Sequence, residues 1–148
     1  MIIIDAKDKV LGRLCTVAAK HALLGEEVIV VNSEKALVAG NPKKIIEENL
    51  DKLKIKNKGN YRLGPFHQKS PDRFVRKTIR GMLPYKKTRG RRAYKNVKCF
   101  IGVPKKKLTE LNVNVEKISY LDTPNAVKPL RRRVSVGEIC KSIGGSYD

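Results

Sequence analysis

A chain of 148 residues in which 33 Lys and Arg face 14 Asp and Glu carries a formal charge of +19. That imbalance argues against a generic enzyme and points to a polyanionic partner, whether RNA, DNA or an acidic membrane. The length is that of one domain, residues 1–148, able to bury about two-thirds of its unfolded surface without metal or disulfide staples, and no run of about 18 apolar residues predicts a membrane span.

Taken in chain order, the apolar opening Met1–Ile4 predicts a short buried strand. It is too short for a leader peptide and has no basic flank, so a cytoplasmic protein is expected. Leu11, Leu14, Cys15, Ala18 and Ala22 recur at the helical period and predict a helix over 10–24, stopped at Gly25. The β-branched run Val28–Val31 predicts a fully buried strand. Strand, helix and strand in this order form a βαβ unit with a parallel pair. Asn41-Pro42 starts the next helix, which runs to about Lys54 with Ile46, Leu50 and Leu53 on one face. Residues 56–69 form a long loop of functional character.

Ser70-Pro71-Asp72 starts a helix reaching about Leu83. Val75, Ile79 and Met82 line its apolar face, and Arg73, Arg76, Lys77 and Arg80 form a cationic stripe. Thr88 caps a further helix to about Val97, and Cys99–Val103 predicts a strand ended by Pro104. Lys117–Leu121 predicts a strand, and Ser135 caps a short helix over 136–143, closed by Gly144-Gly145. The predicted core includes Leu14, Ala18, Val30, Ile46 and Ile79. Cys15, Cys99 and Cys140 are odd in number and lack a CxxC spacing, so they are expected as buried free thiols rather than as a disulfide or zinc framework.

The charge is not evenly spread. Residues 1–60 carry a net +3, residues 61–107 a net +15 with Asp72 as the lone acid, and residues 108–148 a net +1. Such a block is disordered or meets a counter-charge, and its helical apolar spacing reads as folded, or folded upon binding. Seven Arg and nine Lys in it supply both planar forks and point charges for phosphate. Tyr61, Phe66, Tyr85 and Tyr94 interleave with them, so exposed rings can stack on unpaired bases; core packing is an equal reading for Phe66. Gly81, Gly90 and Gly102 permit tight turns or close approach of backbone to RNA.

Enzyme signatures are missing. No GxGxxG or GxxxxGK[ST] follows a strand, and neither HExxH nor GxSxG occurs. Asp5 and Asp8 fit turn chemistry. His21 fits a core-edge or surface position, while His67 in the basic loop can meet a phosphate or base. A DNA-compacting protein, a nucleotide-dependent α/β enzyme and a membrane-surface protein are rival classes. The second lacks a phosphate loop, and the third lacks an amphipathic aromatic face.

One ordered set of motifs separates the remaining readings. Leu11-Gly12-Arg13-Leu14 and Val30-Val31-Asn32-Ser33-Glu34 precede Gly64-Pro65-Phe66-His67. Arg80-Gly81-Met82-Leu83-Pro84, Lys86-Lys87-Thr88-Arg89-Gly90 and Phe100-Ile101-Gly102-Val103-Pro104 follow. Together they closely resemble the universal large-subunit ribosomal protein L-thirteen family over nearly the whole chain. The GPFH form and the missing basic C-terminal extension resemble an archaeal-type member. Tyr85, where many relatives have His, and the dense pair Arg91-Arg92 depart from the pattern.

The resemblance implies a three-layer α/β/α fold with a small, mainly parallel sheet. It also implies a structural, non-enzymatic role: binding large-subunit ribosomal RNA beside neighbouring ribosomal proteins and supporting subunit assembly, without cofactor, small-molecule substrate or membrane. RNA contact is then expected of Arg13 in the first helix, and of Arg62, His67 and Lys69 in the loop. Arg73, Arg76, Lys77 and Arg80 would contribute from the stripe, and Tyr85, Lys86, Lys87, Arg89, Arg91, Arg92 and Lys95 from the segment beyond. Arg131–Arg133 is divided evenly between RNA contact and a solvated charge run.

Overall fold

A computed structural model describes residues 1–104, 126–127 and 131–147. The expected strand over 117–121 and the side chain of Tyr61 lie outside the described residues. In order, the elements are β1 (Ile2–Asp5), α1 (Leu11–Leu23), β2 (Val28–Val31), β3 (Leu37–Ala39), α2 (Pro42–Lys54), α3 (Pro71–Met82), α4 (Thr88–Lys95), β4 (Val97–Cys99), β5 (Arg133–Ser135) and α5 (Val136–Ser142). Short 3-10 turns lie at Ser33–Lys35 and Tyr61–Leu63.

The predicted βαβ unit is present. β1 pairs parallel with β2, Ile2 opposite Val28 and Asp5 opposite Val31, and β2 pairs parallel with β4 on its other edge. Strand side chains alternate between faces. Ile4, Val28, Val30, Val97 and Cys99 therefore meet Leu14, Cys15 and Ala18 of α1, Val75 and Ile79 of α3, and Ala93 of α4 in one core. Ile3, Ile29 and Val31 point the other way and are buried as well, as an α/β layering requires of a mainly parallel sheet.

Start signals explain most helices. The Asn41 side chain accepts a hydrogen bond from Lys43 N at 3.2 Å, with Pro42 in the first turn. Ser135 and Glu138 form a reciprocal capping box, with both bonds at 3.1 Å. Gly25, at φ +95, ends α1 in the left-handed region. Ser70 differs: its hydroxyl bonds the Asp72 carboxylate instead of the helix backbone.

Four expectations need correction. Ile46 is only half-buried, and α2 has no buried residue, because its apolar stripe is incompletely covered. Met82, at the end of α3, is 40% exposed. α4 ends at Lys95, and the strand placed at Cys99–Val103 instead occupies Val97–Cys99, where Val97 enters the sheet core. Thr88 is the first helical residue, with Lys87 at the cap position and no side-chain cap bond. The antiparallel pair β3–β5, Leu37 opposite Ser135, is an addition that no sequence pattern predicts.

The Asn32–Glu34 motif acts inside the fold. Asn32 adopts φ +55 and donates from Nδ2 to Asp5 Oδ1 at 2.7 Å, tying the ends of β1 and β2 together. Glu34 Oε2 accepts the Gly102 amide at 3.1 Å, and Gly102 itself stands at φ +58. The three parallel strands are thus joined at their carboxyl ends by two side chains. Cys15, Cys99 and Cys140 are buried free thiols. Burial pushes all three thiols up, Cys99 to about 12 and Cys140 to about 11.

Candidate nucleic-acid interface

α3 is anchored by Val75 and Ile79, both fully buried, and this fixes which cations face outward. Arg73, Lys77 and Arg80 are exposed, whereas Arg76 is half-buried and its Nε is shielded with no hydrogen-bond partner. Its guanidinium lies 4.6 Å from the centre of the Tyr94 ring. Arg80 lies over Tyr85 at 4.3 Å. The two tyrosines meet edge to face, with centroids 5.4 Å apart and planes at 89°. Arg76, Tyr94, Tyr85 and Arg80 therefore form a continuous chain of ring contacts across α3 and α4. A guanidinium held on a ring face loses little further rotamer freedom on meeting a phosphate, and each contact is worth about 0.5–2 kcal/mol. Arg76 also reaches toward the core: it lowers the Cys99 thiol against the larger upward effect of burial. The expectation of one uniform stripe is thus refined, with Arg76 a packed residue and the other three surface cations.

The turn between the helices is tight. Lys87 N donates to Pro84 O at 2.9 Å, and Arg91 Nε donates to Tyr85 O at 3.4 Å. Gly90 is buried against the Pro84 carbonyl, which a Cβ would approach to 2.2 Å. Its missing side chain lets α4 pack against the Pro84 turn. Gly81, by contrast, has open space around it.

Several expected residues converge and others do not. Arg73, Arg76, Lys77 and Arg80 line a groove of about 390 Å³ with Phe66, Gln68 and Tyr94. Arg80 also borders a depression shared with Tyr85, Lys86 and Lys87. Arg89 and Arg92 line a different depression, beside Leu23 and Gly25 at the end of α1. Arg91 and Lys95 are exposed on α4. Arg13 is exposed on α1, and Thr16 one turn on touches the Met82 sulfur at 3.7 Å, so this face adjoins the end of α3. Arg62 is exposed in the 3-10 turn within the loop, its amide donating to Asn60 Oδ1 at 3.0 Å. Lys69 is exposed where the loop backbone crosses Gly145. His67 faces elsewhere: its Nε2 is shielded, and it lines a recess with Asn49, Leu53 and Phe74.

Phe66 stands 69% exposed, which decides against core packing for that ring. Gln68 joins the groove without a sequence signal, since an uncharged amide in a polar loop carries no pattern. Arg131, Arg132 and Arg133 are exposed, the last paired through its backbone with Ala39.

The electrostatics follow from composition. Asp72, the lone acid of the block, is engaged by Ser70. Among the described residues, a Lys54–Asp51 ion pair at 2.7 Å and a His21 Nδ1–Glu26 Oε2 hydrogen bond at 2.6 Å both lie outside it. Arg73, Lys77, Arg80, Arg89 and Arg92 have no carboxylate partner among the described residues, so their field is directed to solvent. Among these residues no helix is long and apolar enough to cross a membrane.

A family model described as ribosomal protein L13 matches residues 1–106. A large ribosomal subunit protein uL13 of Methanococcus maripaludis is 38% identical over 148 residues, covering 99% of this chain and 100% of the relative. The uL13 protein of Methanocaldococcus jannaschii is 40% identical over 149 residues, with coverage of 99% and 100%. That of Methanopyrus kandleri is 42% identical over 120 residues, covering 81% of this chain and 73% of the relative.

Proposed function

We infer what the chain does from where it belongs: it is a member of the ribosomal protein L13 family, and as such a structural, non-enzymatic constituent of the large ribosomal subunit. The finer reading is that it binds large-subunit ribosomal RNA through the surface of α3, the turn at Tyr85–Lys87 and α4, supports subunit assembly, and works in the cytoplasmic ribosome beside neighbouring ribosomal proteins. We take residues 1–148 as one domain for this purpose.

The observation that carries the RNA reading is the placement of Arg73, Lys77 and Arg80. All three are exposed on a helix whose opposite face is locked in the core, and none has a carboxylate partner among the described residues. Lys and Arg on such a surface neutralise phosphates and release condensed counterions.

The test is salt dependence. Arg73→Gln, Lys77→Gln and Arg80→Gln combined should weaken binding to ribosomal RNA. The slope of log affinity against log salt should become shallower by roughly 0.7–0.9 for each phosphate no longer neutralised. The variant should also sediment less with the large subunit at moderate salt. Unchanged affinity and slope would refute the RNA-facing assignment of α3. Equal preference of the unaltered chain for duplex DNA and ribosomal RNA would favour a general nucleic-acid binder.

A further inference from the structure

We propose that the groove between Phe66 and α3 holds a single unpaired nucleotide of RNA, its base stacked on the Phe66 ring and its phosphate met by Arg73, Lys77 and Arg80. The proposal rests on the RNA-binding reading above and deepens it by naming the form of RNA that this site takes.

Phe66 leaves 69% of its surface in water although it sits in the most highly charged part of the chain. An exposed aromatic ring among cations is poorly matched to most partners. An apolar protein surface would cover the ring but strip water from Arg73, Lys77 and Arg80 without pairing them, which is costly. A purely acidic surface would pair the cations and leave the ring wet. A nucleotide carries both complements, a flat π-face and a phosphate joined by one sugar.

Duplex RNA does not have this property. Its base faces are consumed by stacking, and an A-form helix is met through phosphates, sugars and its shallow groove. Within a continuous helix no base face is open, so the base that lies on Phe66 is an unpaired one, in a loop, bulge or strand end. The size of the site agrees. At about 390 Å³ the groove lies near the small end of the roughly 300–1,000 Å³ range of ligand sites, which suits one nucleotide rather than a run. Arg76, its guanidinium 4.6 Å from the centre of the Tyr94 ring, lines the same groove. Gln68, on the same groove, supplies an amide that can donate to and accept from a base edge.

The absence of Trp from the chain gives a direct test. In the full chain, Phe66→Trp places a sole indole at the groove. Titration with an eight-nucleotide single-stranded oligoadenylate should quench its fluorescence, while a continuous RNA duplex of about thirty base pairs, whose end faces are few, should quench it far less at equal phosphate concentration. Phe66→Leu should weaken oligoadenylate binding by about 5- to 150-fold, the usual effect of removing one base–aromatic stack, and leave duplex binding unchanged. Arg73→Gln should weaken both.

Equal quenching by duplex, or unchanged oligoadenylate affinity in Phe66→Leu, overturns the proposal while ribosomal RNA binding by the unaltered chain keeps the broader reading intact. Loss of subunit incorporation in Phe66→Leu with unchanged oligoadenylate affinity also overturns it, and assigns the ring to a protein neighbour. Failure of the unaltered chain to bind ribosomal RNA sinks both readings together.

Discussion

Gly90 offers a sharp test of how α4 is seated. An added Cβ would stand 2.2 Å from the Pro84 oxygen, 2.4 Å from the Pro84 carbonyl carbon and 2.9 Å from Tyr85 N. All three are backbone atoms, so no rotamer change relieves the contact. To reach an ordinary separation of about 3.5 Å, the turn and α4 must part by about 1 Å. Forced overpacking of this kind costs about 1–3 kcal/mol, and the backbone obstacle argues for the upper end. Alanine gains about 1 kcal/mol over glycine in helix propensity, leaving Gly90→Ala destabilised by about 2 kcal/mol. At roughly 2–4 °C per kcal/mol for a chain this long, the melting temperature should fall by about 4–8 °C.

Gly81→Ala is the control. Its Cβ meets nothing within 4 Å, so the same substitution should stabilise by up to about 1 kcal/mol. Urea melts of the two variants and the parent measure both. If Gly90→Ala melts at or above the parent, the close packing of α4 on Pro84 is wrong.

Ile79→Ala should cost about 2–5 kcal/mol in denaturant melts, because the side chain is fully buried, whereas Ile46→Ala on half-covered α2 should cost well under 2 kcal/mol; equal losses would contradict this core boundary. Ser135→Ala removes the side-chain half of the capping box, so a loss of about 0.5–2 kcal/mol is expected, and a neutral result would show that α5 is held by packing alone. The three thiols should react slowly with a thiol reagent at neutral pH and quickly in denaturant, since burial raises their pKa and keeps them protonated; rapid native reaction of all three would refute it. Because the folded values lie above the ordinary value of 9.0, the thiol contribution to stability is intact below about pH 9 and is lost as pH rises toward 11–12. Cys99→Ala should therefore blunt the alkaline loss seen in melts at pH 8 and pH 11.

The helices were legible where local chemistry marks them. Asn41-Pro42, Ser70-Pro71 and Ser135 each precede an apolar repeat and place α2, α3 and α5 within a residue or two. The β3–β5 pair was not, because three-residue strands have no periodicity and their partners lie far apart in the chain, Leu37 opposite Ser135. Ile46 shows the limit of pattern reasoning: an amphipathic face says which side can be buried, not whether anything covers it. At the candidate interface, the density of charge in 61–107 was visible directly. The pairing of Arg76 with Tyr94 and Arg80 with Tyr85 was not, since it depends on how α3 lies against α4. Gly90 and Asn32 belong to the motifs that carried the resemblance, yet both serve the fold's own packing and hydrogen bonding.

The β3–β5 pairing sets a schedule for the nascent chain. Leu37 must wait for Ser135, roughly a hundred residues later, which at about 5–20 residues per second is on the order of 5–20 s of synthesis. During that interval β3 is an open edge able to recruit the wrong strand. The backbone at Lys69 waits as well, because it is seated against Gly145. The surface preceding α3 therefore reaches its final shape only after nearly all the chain has been made. Unfinished chains would present the cations of α3 without the settled loop beside them, so translation order itself delays the finished form of this charged surface.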